Sequence, residues 1–420
     1  MHLPGKTALI ACVYLCWPVI PGFANTTDPL LQAIHQRLAL MQNVAAYKWL
    51  HSLPIEDSQR EAIVVNAARQ GALRQGIEPQ SSKQFFFAQI SAAKEIQEYW
   101  FEKWEAGNAP LSAPDLTTEI RPRLIQLGDE ILLQLHSSNS LYGDSSAGLL
   151  AVEGLTRNTR LALLDALKNI RLYPDRLTQI MDTGQLRIGT TGDYAPFSTR
   201  LDARADTRAD TGTETNTGPV FSGIDIQLAH NLANYLNAEA VFVATTWPTL
   251  MADLKAGLFD IAMSGVSRTP QRETVAFFSH AYLSGGKTPI VRCNDTDQFN
   301  SLQSIDQTGV RIIVNPGGTN ERFVKANIHT AQVEVFDNNV SIFSKIILGD
   351  ADVMITDRIE VTHQSNLHPE LCAAMKTNLT HQEKAYLLPR DKDLQARVNM
   401  WLDLRISEGV VAKIFDKALH

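Results

Sequence analysis

Apolar residues between Pro29 and Lys48 fall at 30, 31, 34, 38, 41, 44 and 45, a stripe along one side of a helix. The same spacing predicts a helix over Ser58–Arg74, entered through Asp57 or Ser58 as N-cap, and a long one over Pro79–Trp104. Gly107-Asn108-Ala109-Pro110 breaks that helix. Another starts from Asp115 at about Leu116 and runs to Leu135, and Glu153–Tyr173 closes the set. No strand pattern precedes position 185. The pattern changes at Asp182-Thr183-Gly184. Short strands are expected over Leu186–Thr190, Ala240–Ala244 and Phe259–Met263, with helices over Ile224–Leu236 and Trp247–Ala256. A second set of short segments follows: Thr288–Arg292, Val310–Val314, Glu321–Ala326, Val333–Phe336, Val340–Leu348 and Val353–Ile355. A last helix is expected from Asp393 to about Leu419. The chain therefore reads as an all-helical domain over 25–181 and an α/β domain over 184–420.

Ahead of the first stripe, Lys6 precedes an apolar stretch from Ala8 to Ile20, and Gly22-Phe23-Ala24 places small residues at −3 and −1 of a cleavage site. Residues 1–24 thus predict a signal peptide cut after Ala24, and a periplasmic protein if the source is a Gram-negative bacterium. The stretch is too short and Pro-interrupted to span a membrane, so no membrane anchor is expected after cleavage. Cys12 and Cys16 leave with it. Cys293 and Cys372 remain, as a disulfide or as two buried thiols. A net charge of −7 argues against a nucleic-acid partner, so any anionic substrate must be gathered by local cations. The segment 200–219 is polar and nearly repetitive, and reads as a mobile surface insertion.

Candidate chemistry begins with cations. One helix from Pro29 to Lys48 carries Arg37 three turns before Lys48, and Arg60 follows the turn Leu53-Pro54-Ile55-Glu56-Asp57. Each alone is an ordinary solvated charge; together they call for an anion. The runs RLALMQNVAAYKW, LPIEDSQR and FFFAQISAAKEIQ resemble the exported all-helical chorismate mutases over roughly Leu30–Leu135. That resemblance implies Arg37, Lys48, Arg60 and Arg121 as cationic site residues, with Gln97 where the family has Glu or Gln beside the ether oxygen. Ala93 and Val64 replace polar residues of some relatives. Lys48 and Gln97 are then the catalytic pair, and Arg37, Arg60 and Arg121 bind substrate carboxylates.

In the second half, LRIGTTGDYAPFS, FSGIDIQLAHNLA, FDIAMSGVSRTPQRE and DVMITDR resemble periplasmic amino-acid-binding proteins over about Gly184–His420. The implied fold is two α/β lobes around a cleft: about 185–286 plus the C-terminal helix, and about 287–385. The resemblance puts Tyr194 and Trp247 on either side of a ligand. It gives Arg272, Ser267 and the Gly265 backbone to a carboxylate, Gly318 and Thr319 amides to an anion at a helix start, and Asp357 to the place where relatives hold an ammonium. NPGGTNERF, with TTGDYAPFS and GGKTP, resembles cyclohexadienyl dehydratase more specifically. That implies Glu321 as the catalytic acid, with Asp193 and Lys287 supporting the substrate. The expected activity is chorismate to prephenate, then prephenate to phenylpyruvate, with arogenate as an alternative second substrate. Neither step requires a cofactor or metal. Monomer and homo-oligomer both remain open. The alternative is a mutase fused to a non-catalytic amino-acid-binding module.

Overall fold

The structure, a computed structural model, describes residues 28–137, 142, 144–201 and 220–419. The expected signal peptide and residues 202–219 of the expected insertion lie outside these residues. The chain leaves an antiparallel ladder at Leu201 and rejoins it at Val220.

Helix α1 is Pro29–Ala39, capped by the Asp28 carboxylate, which accepts from the amides of Leu30 and Leu31. The single helix expected through Lys48 is instead interrupted at Leu40, and α2 runs Met41–Leu50. Leu40 stays in the right-handed helical region (φ −67°, ψ −13°) and its N–H donates to the Gln36 carbonyl at 3.3 Å, so the interruption is a single residue. Helix α3 is Ser58–Arg74, capped by Asp57, and α4 is Pro79–Glu105. Asp115 caps a one-turn π-helix, Leu116–Ile120, that leads into α5, Arg121–Ser137. The closing segment is a shorter helix than its spacing suggested: α6 is Arg157–Lys168, with Thr156 as N-cap. Ile34, Leu38, Phe85, Ile96 and Leu127 form the centre of this helical core.

Helix α7, Arg176–Thr183, ends at Gly184 in the left-handed conformation (φ 64°). Leu177 and Ile180 pack into the core of the following domain, not that of the helices before it. The structural boundary therefore precedes α7, a few residues earlier than the expected end at 181. The first lobe holds five strands in the order Glu239–Ala244, Gln185–Thr190, Ile261–Ala262, Leu387–Leu388, Phe277–Phe278. The first three run parallel, while Leu387–Leu388 is antiparallel to its neighbours. In the second lobe Gln332–Val335 pairs with Arg311–Val314, which meets Met354–Asp357 through an Ile312–Val353 bridge. Lys287–Arg292 and Leu371–Ala373 complete it, both pairings antiparallel. The lobes thus have the same strand order, and each takes one antiparallel strand from chain returning from the other. The two crossings pair as a short ladder, Leu283–Gly285 with Gln382–Lys384, which forms the hinge. The expected final helix is two, Lys392–Ser407 and Val410–Leu419, separated at Gly409 (φ 70°). Cys293 and Cys372 are joined in a disulfide within the second lobe.

The two domains meet on the first lobe. Arg176 and Gln179 both donate to the Leu73 carbonyl at 3.0 Å, and Arg176 lies 3.5 Å from Asp260. Asp260 is held in turn by Arg187 at 2.5 Å. Gly257 (φ 68°) sits so close to the Arg74 carbonyl that an added Cβ would lie 2.3 Å from that oxygen. Asp260 immediately precedes the strand Ile261–Ala262, so this seam lies at the amino ends of the first-lobe strands.

Candidate active sites

Five helices send one residue each into a single cavity of about 630 Å³: Arg37 from α1, Lys48 from α2, Arg60 from α3, Gln97 from α4 and Arg121 from α5. The kink at Leu40 does not separate Arg37 from Lys48, because both helices pack on α4. The π-turn sets the start of α5, and with it Arg121, on this cavity. Arg37 is buried, and burial pushes its guanidinium down to about 10. Burial also lowers the Lys48 ammonium, against the opposing pull of Asp57 and Glu61. Lys48 Nζ donates to the Ile55 carbonyl at 2.6 Å, folding the Leu53–Asp57 turn over the site. Of the four acids on the wall, Glu61 binds Lys94 at 2.8 Å and Asp57 caps α3, while Glu56 and Asp129 also line it. Gln97 gives one N–H to the Ala93 carbonyl at 2.9 Å, leaving its second N–H free. Ala93 and Val64 also line the cavity, so the places where some relatives carry polar groups are apolar here. A cavity of this size, in which Arg37, Lys48, Arg60 and Arg121 meet the Gln97 amide and Arg74 and Lys94 add to the wall, suits a compact dicarboxylate.

The second site lies between the lobes and is closed, with only about 20 Å³ of open space. Tyr194, Trp247, Gly265, Ser267, Arg272 and Gly318 line it, with Thr319 and Asp357. Each follows from topology, since Tyr194, Trp247 and Gly265 come just after the carboxyl ends of parallel strands. Tyr194 and Trp247 meet edge to face at 5.5 Å and 84°, so in the closed state they do not flank a ligand in parallel. Instead the Tyr194 hydroxyl donates to Asp357. The Gly265 amide is not free for a carboxylate either. With φ 63° it donates to the buried Asp225 at 2.5 Å, and the Gly265 carbonyl faces Lys384. Arg272 keeps donor capacity toward the cleft: Nη1 donates to the Ser267 carbonyl at 2.8 Å, Nε is buried without a partner, and burial brings the group down to about 10. No side chain caps the helix Thr319–Asn327, whose first turn carries the Gly318–Thr319 anion position.

Asp193 stands behind Trp247, accepting its indole N–H at 3.1 Å. Lys287 is fully buried and touches Asn320, Thr319 at 3.1 Å and Asp357 at 3.1 Å. Lys384, from the hinge strand, reaches the other Asp357 oxygen at 2.5 Å. Burial works against ionisation of Asp357, but the two ammonium groups hold it well below the usual carboxylate range. Its oxygens are therefore occupied by lysines where an amino-acid ligand's ammonium was expected. Glu321 is not in the cavity wall. Its carboxylate accepts from Gly317 N at 2.6 Å and pairs with Lys325 at 2.6 Å, and these bonds lower its pKa. Lys384, Asn315, Asn320 and Asn339 line the cleft and were not singled out from sequence. Nothing local marks Lys384, which follows Glu383 directly ahead of the apolar run Ala385–Leu388.

Comparison with known proteins assigns families to both halves of the chain. Residues 25–98 match the family model for chorismate mutase type II, and 186–420 match that for bacterial extracellular solute-binding proteins, family 3. The chain is 44% identical over 252 residues to a cyclohexadienyl dehydratase of Pseudomonas aeruginosa, covering 60% of this chain and 88% of that one. It is 34% identical over 128 residues to a monofunctional chorismate mutase of Enterobacter agglomerans, covering 29% of this chain and 67% of that one. A secreted chorismate mutase of Yersinia pestis is 34% identical over 131 residues, 31% of this chain and 69% of its own. Among solved structures, an ancestral amino-acid-binding protein described as a precursor of cyclohexadienyl dehydratase superposes with TM-score 0.51 at 30% identity, covering 58% of this chain and 99% of that one. The chain thus belongs to two families in tandem, chorismate mutase type II through its helical half and the bacterial extracellular solute-binding proteins, family 3, through the remainder.

Proposed function

We propose that this chain is an exported bifunctional enzyme that isomerises chorismate to prephenate and then converts prephenate to phenylpyruvate. The observation that carries the first activity is the convergence of Arg37, Lys48, Arg60, Gln97 and Arg121 on one cavity. The rearrangement is pericyclic and needs no nucleophile or base. It needs two carboxylates gripped in a compact conformer and a donor for the charge that builds on the breaking ether oxygen. Arg37, Arg60 and Arg121 serve the carboxylates, and Lys48 with the free Gln97 N–H serves the oxygen. One preorganised donor contributes about 3–4 kcal/mol, so two donors plus conformational restriction suffice for a roughly million-fold acceleration, about 8 kcal/mol.

In the second step the ring hydroxyl takes a proton and leaves as water. The ring carboxylate leaves as carbon dioxide, and its bonding pair aromatises the ring. Arg272 and the Gly318–Thr319 amides suit the carboxylates, while the closed cleft excludes water. Glu321 is the proposed acid. In that role it exchanges its Gly317 and Lys325 contacts for the substrate hydroxyl, and proximity to substrate carboxylates raises its pKa. Export is supported by the secreted and extracellular character of the matched relatives.

The placement of Glu321 outside the cleft wall favours one other reading, a binding module without turnover. Feeding chorismate to the purified chain separates them. Phenylpyruvate with transient prephenate supports both activities, and accumulating prephenate leaves only the first. Lys48→Ala is expected to lower chorismate turnover by about 10²–10³-fold. Glu321→Gln is expected to abolish prephenate turnover while leaving prephenate binding by calorimetry intact. Unchanged turnover in either variant removes that residue's role.

A further inference from the structure

Arg37 is the deepest cation of the helical cavity, and the way it is held is unusual. Its guanidinium donates from Nη1 to Gln89 Oε1 at 3.1 Å, and its carbon lies 5.9 Å from the centre of the Phe86 ring. Gln89 is fully buried. Arginine has only donors, so the atom facing it must be the amide oxygen. No carboxylate offsets the burial that depresses Arg37. Its Nε and Gln89 Nε2 are both buried without partners, two donors awaiting an acceptor. Gln89, Ala93 and Gln97 follow one another at four-residue spacing on α4, so the same helix face presents both amides.

A charged partner would hold Arg37 as firmly, but its field would cancel the attraction for a substrate carboxylate. An apolar partner would leave the guanidinium free to swing toward solvent. A buried neutral acceptor avoids both. We propose that Gln89 is a positioning residue for Arg37, fixing the guanidinium while leaving its whole charge to the substrate. The inference rests on the mutase reading given above.

The test compares Gln89→Glu and Gln89→Met in the full chain, with chorismate kinetics at neutral pH. Gln89→Glu keeps length and acceptor but adds a charge. It is expected to raise KM by about tenfold or more with kcat within about threefold, since ground-state and transition-state carboxylate binding are lost together. Gln89→Met removes the acceptor without adding charge, and is expected to raise KM by about threefold to fivefold. Far-ultraviolet circular dichroism and denaturant unfolding of the helical domain, whose core is separate from that of the second domain, report whether each variant is folded. Equal KM in the two variants, or a KM within twofold of wild type in Gln89→Glu, overturns the proposal. Should Gln89→Glu fail to fold, Gln89→Met decides alone: a wild-type KM overturns it. A wild-type chain without chorismate turnover refutes the mutase reading itself, which is a different result.

Discussion

Gln97 carries no charge and needs no proton to donate, in contrast to a glutamate at the same place. Mutase turnover is therefore expected to stay level between pH 5 and 7, and a profile that titrates away over that range contradicts the assignment. Glu360 behaves oppositely in the second site. It is buried, with the Thr356 hydroxyl on one oxygen, and burial, reinforced by Asp357, pushes its carboxyl up to about 8 despite the opposing hydroxyl, Lys384 and Lys287. Below that value it is neutral, and Lys287 and Lys384 are paired with Asp357. As pH rises through about 8, Glu360 ionises and adds a negative charge beside a site that binds carboxylates. The KM for prephenate is expected to rise there, and Glu360→Gln to keep it flat; identical profiles in the two proteins refute this. The stability sign is the same. Unfolded chain loses this proton in the ordinary carboxylate range while folded chain keeps it, so this group's contribution falls as pH climbs toward 8. At this scale the sequence was legible where a motif fixes a residue in its own loop or helix, as for Lys48 and Arg272. It was not legible for Lys384, Asn320 or Glu360, whose roles arise only when the chain recrosses between lobes. Nor could it foresee that the Gly265 amide would turn to Asp225.

Elements were read well where caps and breakers are local. Asp57 before α3, Pro79 opening α4 and Gly107-Asn108 ending it act through their own backbone. The one-residue interruption at Leu40 has no such marker, since no proline or glycine lies there. Helix α7 misled in another way. Its spacing is helical like that of its predecessors, but its apolar face is buried by the next domain. The seam beside it depends on Gly257, which combines a positive φ with contact against the Arg74 carbonyl. Gly257→Ala is expected to destabilise the docked pair by about 1–2 kcal/mol from backbone strain alone, and further through the clash with an immobile carbonyl. Denaturant unfolding and cleavage susceptibility between α6 and α7 report it. Unchanged values in both would mean that the seam yields.

Across the molecule, the two sites lie beyond opposite ends of the first-lobe strands. The helical domain is seated at the amino ends of the first-lobe strands, beside Asp260 and Gly257, while the cleft opens beyond their carboxyl ends. The six residues of Gln185–Thr190 alone separate these ends by about 20 Å. Among the described residues, the first cavity, with Arg74 in its wall, and the second, with Trp247, share no lining residue. Labelled chorismate supplied with excess unlabelled prephenate is therefore expected to yield phenylpyruvate diluted in full proportion. Retention of label in the product would require a protected route. A fusion arranged in this way ties the two catalysts in equal number without giving either ownership of the intermediate. The second site is then expected to draw on a common pool, and to serve prephenate released by any other source as readily as that made by its own chain.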